Sequence, residues 1–196
     1  MNTKKNLWLV IGSFLVMVFS ANTMVGQTFN VNSGASSLKV EGTSNIHDWE
    51  LSAKELQGSI KVQMEDGQLV KLDQLQFAVV AESLKSGKGG MDKNTYKALD
   101  TDKHRRITYE LSSVKNLDCT SKTSCKVTTN GVLTIAGTQK NVELIFDAKV
   151  AGDKITLSGD KKIKMTDFKV DPPTAMFGTI TTGDEVNIKF QTVFTK

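Results

Sequence analysis

Few residues of this chain have the chemistry of a catalytic or metal site, and their spacing does not bring them together. His47 and His104 are its only histidines, whereas a mononuclear metal site takes three or four His, Cys, Asp or Glu ligands. Nucleophilic catalysis needs an activated Ser, Cys or Thr beside a base, and the sequence has no Gly-x-Ser-x-Gly motif. A pair of carboxylates for glycoside hydrolysis stays open, but nothing singles out a pair. We therefore expect no enzyme, no catalytic residue and no metal, with a hydrolase or metal site at the two histidines as the weaker alternative.

The two cysteines, Cys119 and Cys125, are separated by the five residues TSKTS. In a chain that we expect to be exported, an even pair this close predicts one disulfide. Closing so short a loop contributes at most roughly 2 kcal/mol, so the bond would pin the tip of a hairpin rather than hold the fold. A metal or redox pair is the alternative, although the spacing is not Cys-x-x-Cys.

The expectation of export comes from the N-terminal segment. Lys4 and Lys5 precede an apolar run over Leu7–Phe19, and small and polar residues follow it. This three-part pattern is typical of a secretory signal, and a run of about 13 residues is shorter than the ~20 that a membrane-spanning helix needs. We predict a signal peptide over residues 1–26, a single domain over residues 27–196 and a periplasmic protein, with secretion as the alternative.

The cleavage position and the charge of the mature chain follow from the same segment. Cleavage after Gly26 is preferred to cleavage after Ala21, because a strand-like pattern begins next. Removing the segment takes away two of the 25 basic residues, which leaves the others nearly balanced by 21 acidic ones. Charges of both signs are interspersed, so we expect no nucleic-acid partner.

Apolar and polar residues alternate along most of the mature chain, which predicts about eight antiparallel strands. The clearest pair lies within residues 131–148, GVLTIAGTQKNVELIFDA, where the apolar residues of each arm share one face. The polar segment Gly137–Asn141 between the arms predicts a hairpin turn. Residues 90–100 instead place apolar residues at helical spacing, and they predict one short helix that crosses between strands, with Asp92 at its N-cap or in its first turn.

A sheet of this size either packs in two layers or closes into a barrel, which removes the exposed edges. The Cys…Trp…Cys spacing of an immunoglobulin domain is absent from the sequence. A closed barrel of about eight strands has an interior that side chains fill or that holds one ligand. Alternation alone does not separate these two cases.

Three segments of the chain resemble the YceI-like family. GVLTIAGTQKNVEL is close to that family's Gly-x-Leu-Thr-Ile-x-Gly-x-Thr-x-x-Val pattern, IKMTDFKV is close to its Ile-x-x-x-Asp-Phe segment, and MDKNTYKALDTDKHRRITYEL corresponds to its helical crossing and the following strand. The resemblance covers roughly residues 36–195. The polar stretch Asn45–Trp49, the double proline at 172–173 and the cysteine pair depart from the common pattern.

The resemblance implies an all-β fold, namely an antiparallel, eight-stranded, lipocalin-like barrel with one short helical crossing. It also implies that the barrel interior holds a hydrophobic small molecule with a long isoprenoid chain, such as a quinone or a polyprenyl lipid. Apart from this bound lipid we expect no cofactor. We expect at most transient membrane contact, and a monomer or a homodimer.

On this basis, alternation assigns twelve residues to the ligand-facing side of the barrel: Phe77, Val79, Ile107, Tyr109, Leu133, Ile135, Leu144, Phe146, Ile163, Met165, Ile188 and Phe190. Six further residues are candidates for the barrel rim: His47, Trp49, Arg105, Arg106, Met176 and Phe177. Arginine suits an anionic head group, although a basic connector is commonly just solvated. The irregular segment around the Met–Phe pair is either a flap over an opening or a loop packed on the barrel.

Two hypotheses of different classes follow. The first is an exported protein that sequesters or carries an isoprenoid-type lipid. The alternative is a non-enzymatic structural or protein-interaction barrel of the cell envelope, such as a stress-related protein, with a filled core. A hollow interior favours the first hypothesis and a solid interior favours the second.

Overall fold

The structure of the chain is a computed structural model that describes residues 26–196. The predicted signal peptide lies outside this range, except for its last residue, Gly26. The described residues form twelve strands, which are β1 (Gln27–Val31), β2 (Ser37–Ser44), β3 (Trp49–Ala53), β4 (Leu56–Glu65), β5 (Gln68–Val80), β6 (Leu84–Lys85), β7 (Arg106–Ser121), β8 (Ser124–Ile135), β9 (Thr138–Ala151), β10 (Lys154–Lys164), β11 (Thr174–Ala175) and β12 (Ile180–Thr195). One helix, α1 (Gly89–Leu99), lies between β6 and β7.

The strands close into an antiparallel ring of eight. The order β1-β4-β5-β7-β8-β9-β10-β12 returns to β1, because Asn30 and Val31 pair with Thr195 and Phe194 of β12. Each junction of the ring is antiparallel. The eight-stranded antiparallel barrel with one helical crossing is therefore confirmed.

Eleven of the twelve strands make the eight continuous legs of the ring, because three legs are each broken into two strands, and β11 pairs with β12 outside the ring. A 3-10 turn at Ser33–Ala35 separates β1 from β2, which continues the same leg and pairs with β12 and β3. Two residues, Lys54 and Glu55, separate β3 from β4 in the second leg, and a 3-10 turn at Ala81–Ser83 separates β5 from β6. These breaks let the wall bend without losing its pairing.

The ring has two different ends. At the lower end the strands are joined by tight turns at residues 66–67, 122–123 and 152–153. At the upper end the connections are longer, apart from one tight turn, and they comprise residues 45–48, 81–105, 136–137 and 165–179. Helix α1 belongs to the upper end, so that the helical crossing covers part of it.

The lower half of the barrel is a solid core. Its side chains come from inward positions of several strands and are nearly inaccessible to solvent, and they include Phe29, Ile60, Val62, Leu69, Val127, Ile155 and Phe194. Removing apolar surface of this kind from water stabilises the fold by ~25 cal/mol per Å². The hypothesis of a filled barrel thus describes the lower half.

Helix α1 forms where the sequence predicts it. Of the two positions predicted for Asp92, the structure shows the first turn and not the N-cap. The residue before the helix is Lys88, which makes no side-chain capping bond. Asp92 lies in the first turn and accepts hydrogen bonds from the backbone N–H and the hydroxyl of Ser86, at 2.8 and 2.6 Å. These bonds lower the pKa of the Asp92 carboxyl and fasten the segment that leads into the helix.

The turn predicted over Gly137–Asn141 is shorter than expected. Strand β9 begins at Thr138, and only Ala136 and Gly137 form the turn, with φ of 46° and 74°. Positive φ at both central residues is the geometry whose twist matches that of the flanking strands. The polar composition of the segment predicts the hairpin correctly, but it makes the predicted turn too long, because the first residues of the next strand are also polar.

The predicted disulfide is confirmed. Cys119 and Cys125 are bonded and occupy directly paired positions across the β7–β8 hairpin. The bond lies near the lower end of the barrel, beside the turn at residues 122–123. It is remote from the upper end, where the barrel has room inside.

Candidate functional site

The upper half of the barrel encloses a cavity of about 640 Å³. Inward-facing side chains of the strand wall surround it, and Met91, Thr95, Ala98 and Leu99 of α1 close part of its upper side. Apolar side chains make up most of the lining. The cavity ends below on Phe194, where the solid core begins.

All twelve predicted ligand-facing residues lie on the wall of this cavity. Eleven come from six strands and one, Met165, directly follows β10, and they are Phe77, Val79, Ile107, Tyr109, Leu133, Ile135, Leu144, Phe146, Ile163, Met165, Ile188 and Phe190. Their position follows from alternation, because every second residue of a strand points to the same face. That they contact a ligand stays a prediction.

Tyr109 is a polar residue of this wall whose hydroxyl already has a partner. The Thr129 hydroxyl donates to the Leu144 carbonyl at 3.1 Å, so the Tyr109 hydroxyl donates to Thr129, at 2.8 Å. Burial raises the pKa of Tyr109, and the group therefore stays neutral at physiological pH. With its hydroxyl paired, Tyr109 presents mainly an aromatic ring to the cavity.

Gly131 makes room for that ring. It occupies an inward-facing position of β8, and a Cβ there would lie 2.4 Å from Cζ of Tyr109 and 2.6 Å from the carbonyl oxygen of Glu110. No real Cβ approaches other atoms so closely. The glycine that opens the family-like segment is therefore a packing requirement of the cavity wall.

Lys161 is a wall residue that the sequence reasoning missed. It pairs with Ile188 across β10 and β12, both residues line the cavity, and Ile163 follows on the same face. Its even spacing from Ile155 and Leu157 was the available signal, although a lysine within a charged run is typical of a solvated position. Among the described residues Lys161 forms no ion pair within 4.0 Å.

Lys161 lies where two strands of the wall separate. The pairing of β9 with β10 ends at Asp147 and Ser158, so the upper parts of these strands are not joined. A hydrogen bond from Lys115, together with the charge of Lys161, lowers the pKa of Glu143 on the outer face of β9. Lys161 therefore lines the cavity and also carries a charge that acts on a carboxylate of the outer face.

The mouth of the cavity lies at the upper end, between the loop at residues 44–49, the start of α1 and the segment at residues 173–182. His47 and Trp49, two of the predicted rim residues, line it. Nδ1 of His47 lies 2.9 Å from the Asp48 carbonyl oxygen, and the Trp49 indole N–H donates to the Thr43 carbonyl. Both side chains are therefore fixed by the loop that carries them.

The other rim candidates are divided. Met176 lines the mouth, whereas Phe177 beside it points entirely into solvent. Arg105 and Arg106 are exposed at the beginning of β7 and are not among the residues that line the cavity. Several residues of the irregular segment around Met176 line the mouth, so this segment lies beside the opening of the cavity.

The two histidines lie in different places and do not form a common site. His104 packs against the β8–β9 turn, since a Cβ on Gly137 would lie 2.4 Å from its Cε1 atom, whereas His47 is at the mouth. Within residues 26–196, no three His, Cys, Asp or Glu side chains are grouped to hold a metal ion. In the same part of the chain, no helix has the length and apolar character to cross a membrane.

Known proteins share this sequence pattern and this architecture. The sequence matches the YceI-like domain over residues 19–194. No curated protein matches it. Among solved structures, Burkholderia cenocepacia BcnA has a TM-score of 0.65 at 18% identity, with 83% of this chain and 98% of that chain covered.

Two other solved structures extend the comparison. A polyisoprenoid-binding domain from Saccharophagus degradans, implicated in plant cell wall breakdown, has a TM-score of 0.64 at 12% identity over 85% of this chain and 97% of that chain. The YceI protein of Campylobacter jejuni has a TM-score of 0.52 at 16% identity over 99% of both chains. At these identities the three structures establish a shared fold.

Proposed function

The chain belongs to the YceI-like family, and from this membership and its cavity we propose that it is an exported protein that sequesters or carries an isoprenoid-type lipid. The apolar chain of a quinone or a polyprenyl lipid would occupy the upper half of the barrel. The similarity in fold to a polyisoprenoid-binding domain supports this class of ligand. No reaction is assigned to the protein, because binding alone accounts for the geometry.

The observation that carries the proposal is the apolar cavity of about 640 Å³ above a solid core. One water-sized group takes up ~30 Å³ of liquid, so the cavity has room for about 20 carbon-sized groups, or about four isoprene units. Each buried CH₂ group gains ~0.8 kcal/mol on leaving water. The loss of ligand freedom on binding offsets part of this gain.

A chain-length series tests the proposal. We would titrate the protein with isoprenoid alcohols of increasing length, with unbranched saturated alcohols of equal carbon number as the control. The affinity is expected to rise with each added isoprene unit until the cavity is full, at about four units, and then to level off. The branched isoprenoid alcohols should bind more tightly than the unbranched ones.

Two results would contradict the proposal. The absence of binding at every chain length would favour a structural or protein-interaction barrel. An affinity that keeps rising without a plateau would indicate adsorption on the surface rather than a cavity of fixed size.

A further inference from the structure

Three large apolar side chains are exposed around the mouth of the cavity. Ile46 is 58% exposed, Met176 is 68% exposed and Phe177 is fully exposed. Isolated apolar residues on a surface are common, but these three project from two neighbouring loops at the same end of the barrel. We call them the lip residues.

Hydrogen bonds join the two loops that carry the lip residues. The Asn45 side-chain amide donates to the Thr179 carbonyl at 2.9 Å and accepts from the Thr181 N–H at 3.0 Å. The Asn45 N–H also donates to the Thr181 carbonyl, at 3.1 Å. The exposed side chains therefore belong to one connected edge and not to two independent loop tips.

The backbone holds Met176 and Phe177 outward at an energetic cost. Both have positive φ, of 51° and 54°, and Gly178 follows with φ of 88°. Non-glycine residues in this region are strained, and such strain is concentrated at functional sites. Here it leaves most of the Met176 side chain and all of the Phe177 side chain in solvent, where little packing offsets the cost.

We propose that the lip residues insert into the surface of a lipid bilayer and dock the mouth of the cavity against it. The inference rests on the proposed function in one respect: docking would serve to transfer an apolar chain between the bilayer and the cavity. Ile46 and Met176 also line the mouth, so the exposed apolar edge continues into the apolar wall. A ligand could pass along it without crossing water.

A bilayer fits this edge better than a protein partner does. A stable protein interface buries ~800 Å² on each side, which is more than three side chains on two projecting turns can supply. Membrane binding needs only apolar side chains that reach below the head groups. Exposed side chains of both signs lie at this end of the barrel: Lys88, Lys164, Lys169, Asp48, Asp167 and Asp171. This mixture of charges predicts insertion that is driven by apolar contact and is nearly independent of salt.

The test is flotation with vesicles of pure phosphatidylcholine, in low and high salt. It uses the barrel of residues 26–196, which has a closed ring and its own core, because the apolar run at residues 7–19 would bind vesicles by itself. The key variant is Phe177→Ser, since Phe177 does not line the cavity. The matched control is Ile145→Ser, which removes a side chain that is 46% exposed on the outer face of β9.

We expect Phe177→Ser to weaken vesicle binding about tenfold and to leave the affinity for an isoprenoid alcohol in solution unchanged. Adding Ile46→Ser should weaken vesicle binding by about a further tenfold, and Ile145→Ser should not change it. The inference is overturned if the unaltered barrel does not float with vesicles, or if Phe177→Ser and Ile145→Ser behave alike. It is also overturned if Phe177→Ser instead abolishes a dimer seen by light scattering, since the edge would then bind a second copy of the chain.

Vesicle binding and ligand binding are measured separately, so that the two proposals fail independently. Flotation without any affinity for isoprenoid alcohols would refute the proposed function and leave the docking surface. Affinity for the alcohols without flotation would do the reverse.

Discussion

Replacing Leu144 with tryptophan should fill part of the cavity and reduce the room for a ligand. Leu144 lines the cavity from β9 and is only partly buried by neighbouring side chains. The larger side chain takes up about 60 Å³ more, which at ~30 Å³ for each carbon-sized group displaces about two such groups of the ligand. At ~0.8 kcal/mol for each buried CH₂ group, this is a loss of ~1.6 kcal/mol, or about fifteenfold in Kd.

The next residue supplies the matched control. Ile145 lies on the same strand but on the outer face, where it is 46% exposed, so Ile145→Trp adds a similar volume outside the barrel. We would measure the affinity of both variants for an isoprenoid alcohol that fills the cavity, by titration calorimetry. Leu144→Trp should bind much more weakly than the unaltered protein, and Ile145→Trp should bind equally well.

The stability of the same variants tests independently whether the barrel has free volume beside Leu144. Because the cavity has free volume, Leu144→Trp should unfold at nearly the same urea concentration as the unaltered protein. A solid interior would instead be overpacked, at a cost of ~1–3 kcal/mol. A ligand cavity beside Leu144 is refuted if Leu144→Trp is destabilised to this extent, or if it folds normally and keeps its full affinity.

Three further predictions concern the residues that shape the cavity and its mouth. Tyr109→Phe removes the hydrogen bond to Thr129 and should lower the free energy of unfolding by ~1 kcal/mol in urea titrations; no change would show that the bond is not formed. Gly131→Ala places a Cβ against the Tyr109 ring and should destabilise the protein by ~1–3 kcal/mol, which an unchanged melting temperature would contradict. Because its bonds from Ser86 lower the pKa of Asp92 in the folded state, that carboxylate stabilises the fold above about pH 4, and its contribution is lost as the pH falls through the lowered pKa. The stability difference between the unaltered protein and Asp92→Asn should therefore shrink below about pH 4, and a constant difference would refute this role.

Much of the cavity wall could be predicted from local alternation. The period of two is a property of each strand alone, so positions such as Leu133, Phe146 and Ile188 follow without knowledge of strand order. Closure of the ring depends on long-range strand pairing, such as that of β1 with β12, which no local sequence pattern contains. The closed barrel could be predicted only from the family resemblance.

Other parts of the site could not be found in this way. The alternation along β10 predicts that Lys161 faces the interior, whereas its charge predicts that it faces solvent, and the two predictions conflict. Its position is explained by the separation of β9 and β10, because the upper parts of these strands are not joined beside it. The exposure of Phe177 depends on a strained backbone that composition does not indicate.

The division of the barrel into a solid and a hollow half was likewise beyond the sequence. Inward-facing residues of both halves are equally apolar, as Ile155 below and Ile163 above illustrate. What differs is whether the inward side chains of opposite strands meet, which depends on strand pairing and on the placement of α1. Alternation identifies the inner face but does not measure the space that it encloses.

Native mass spectrometry of the protein purified without detergent, followed by organic extraction, shows directly whether the cavity holds a lipid. We expect a complex of one chain with one apolar molecule, which extraction removes and identifies as an isoprenoid-type lipid. A bare chain that also fails to take up an added isoprenoid alcohol would contradict the claim that the cavity is a lipid site.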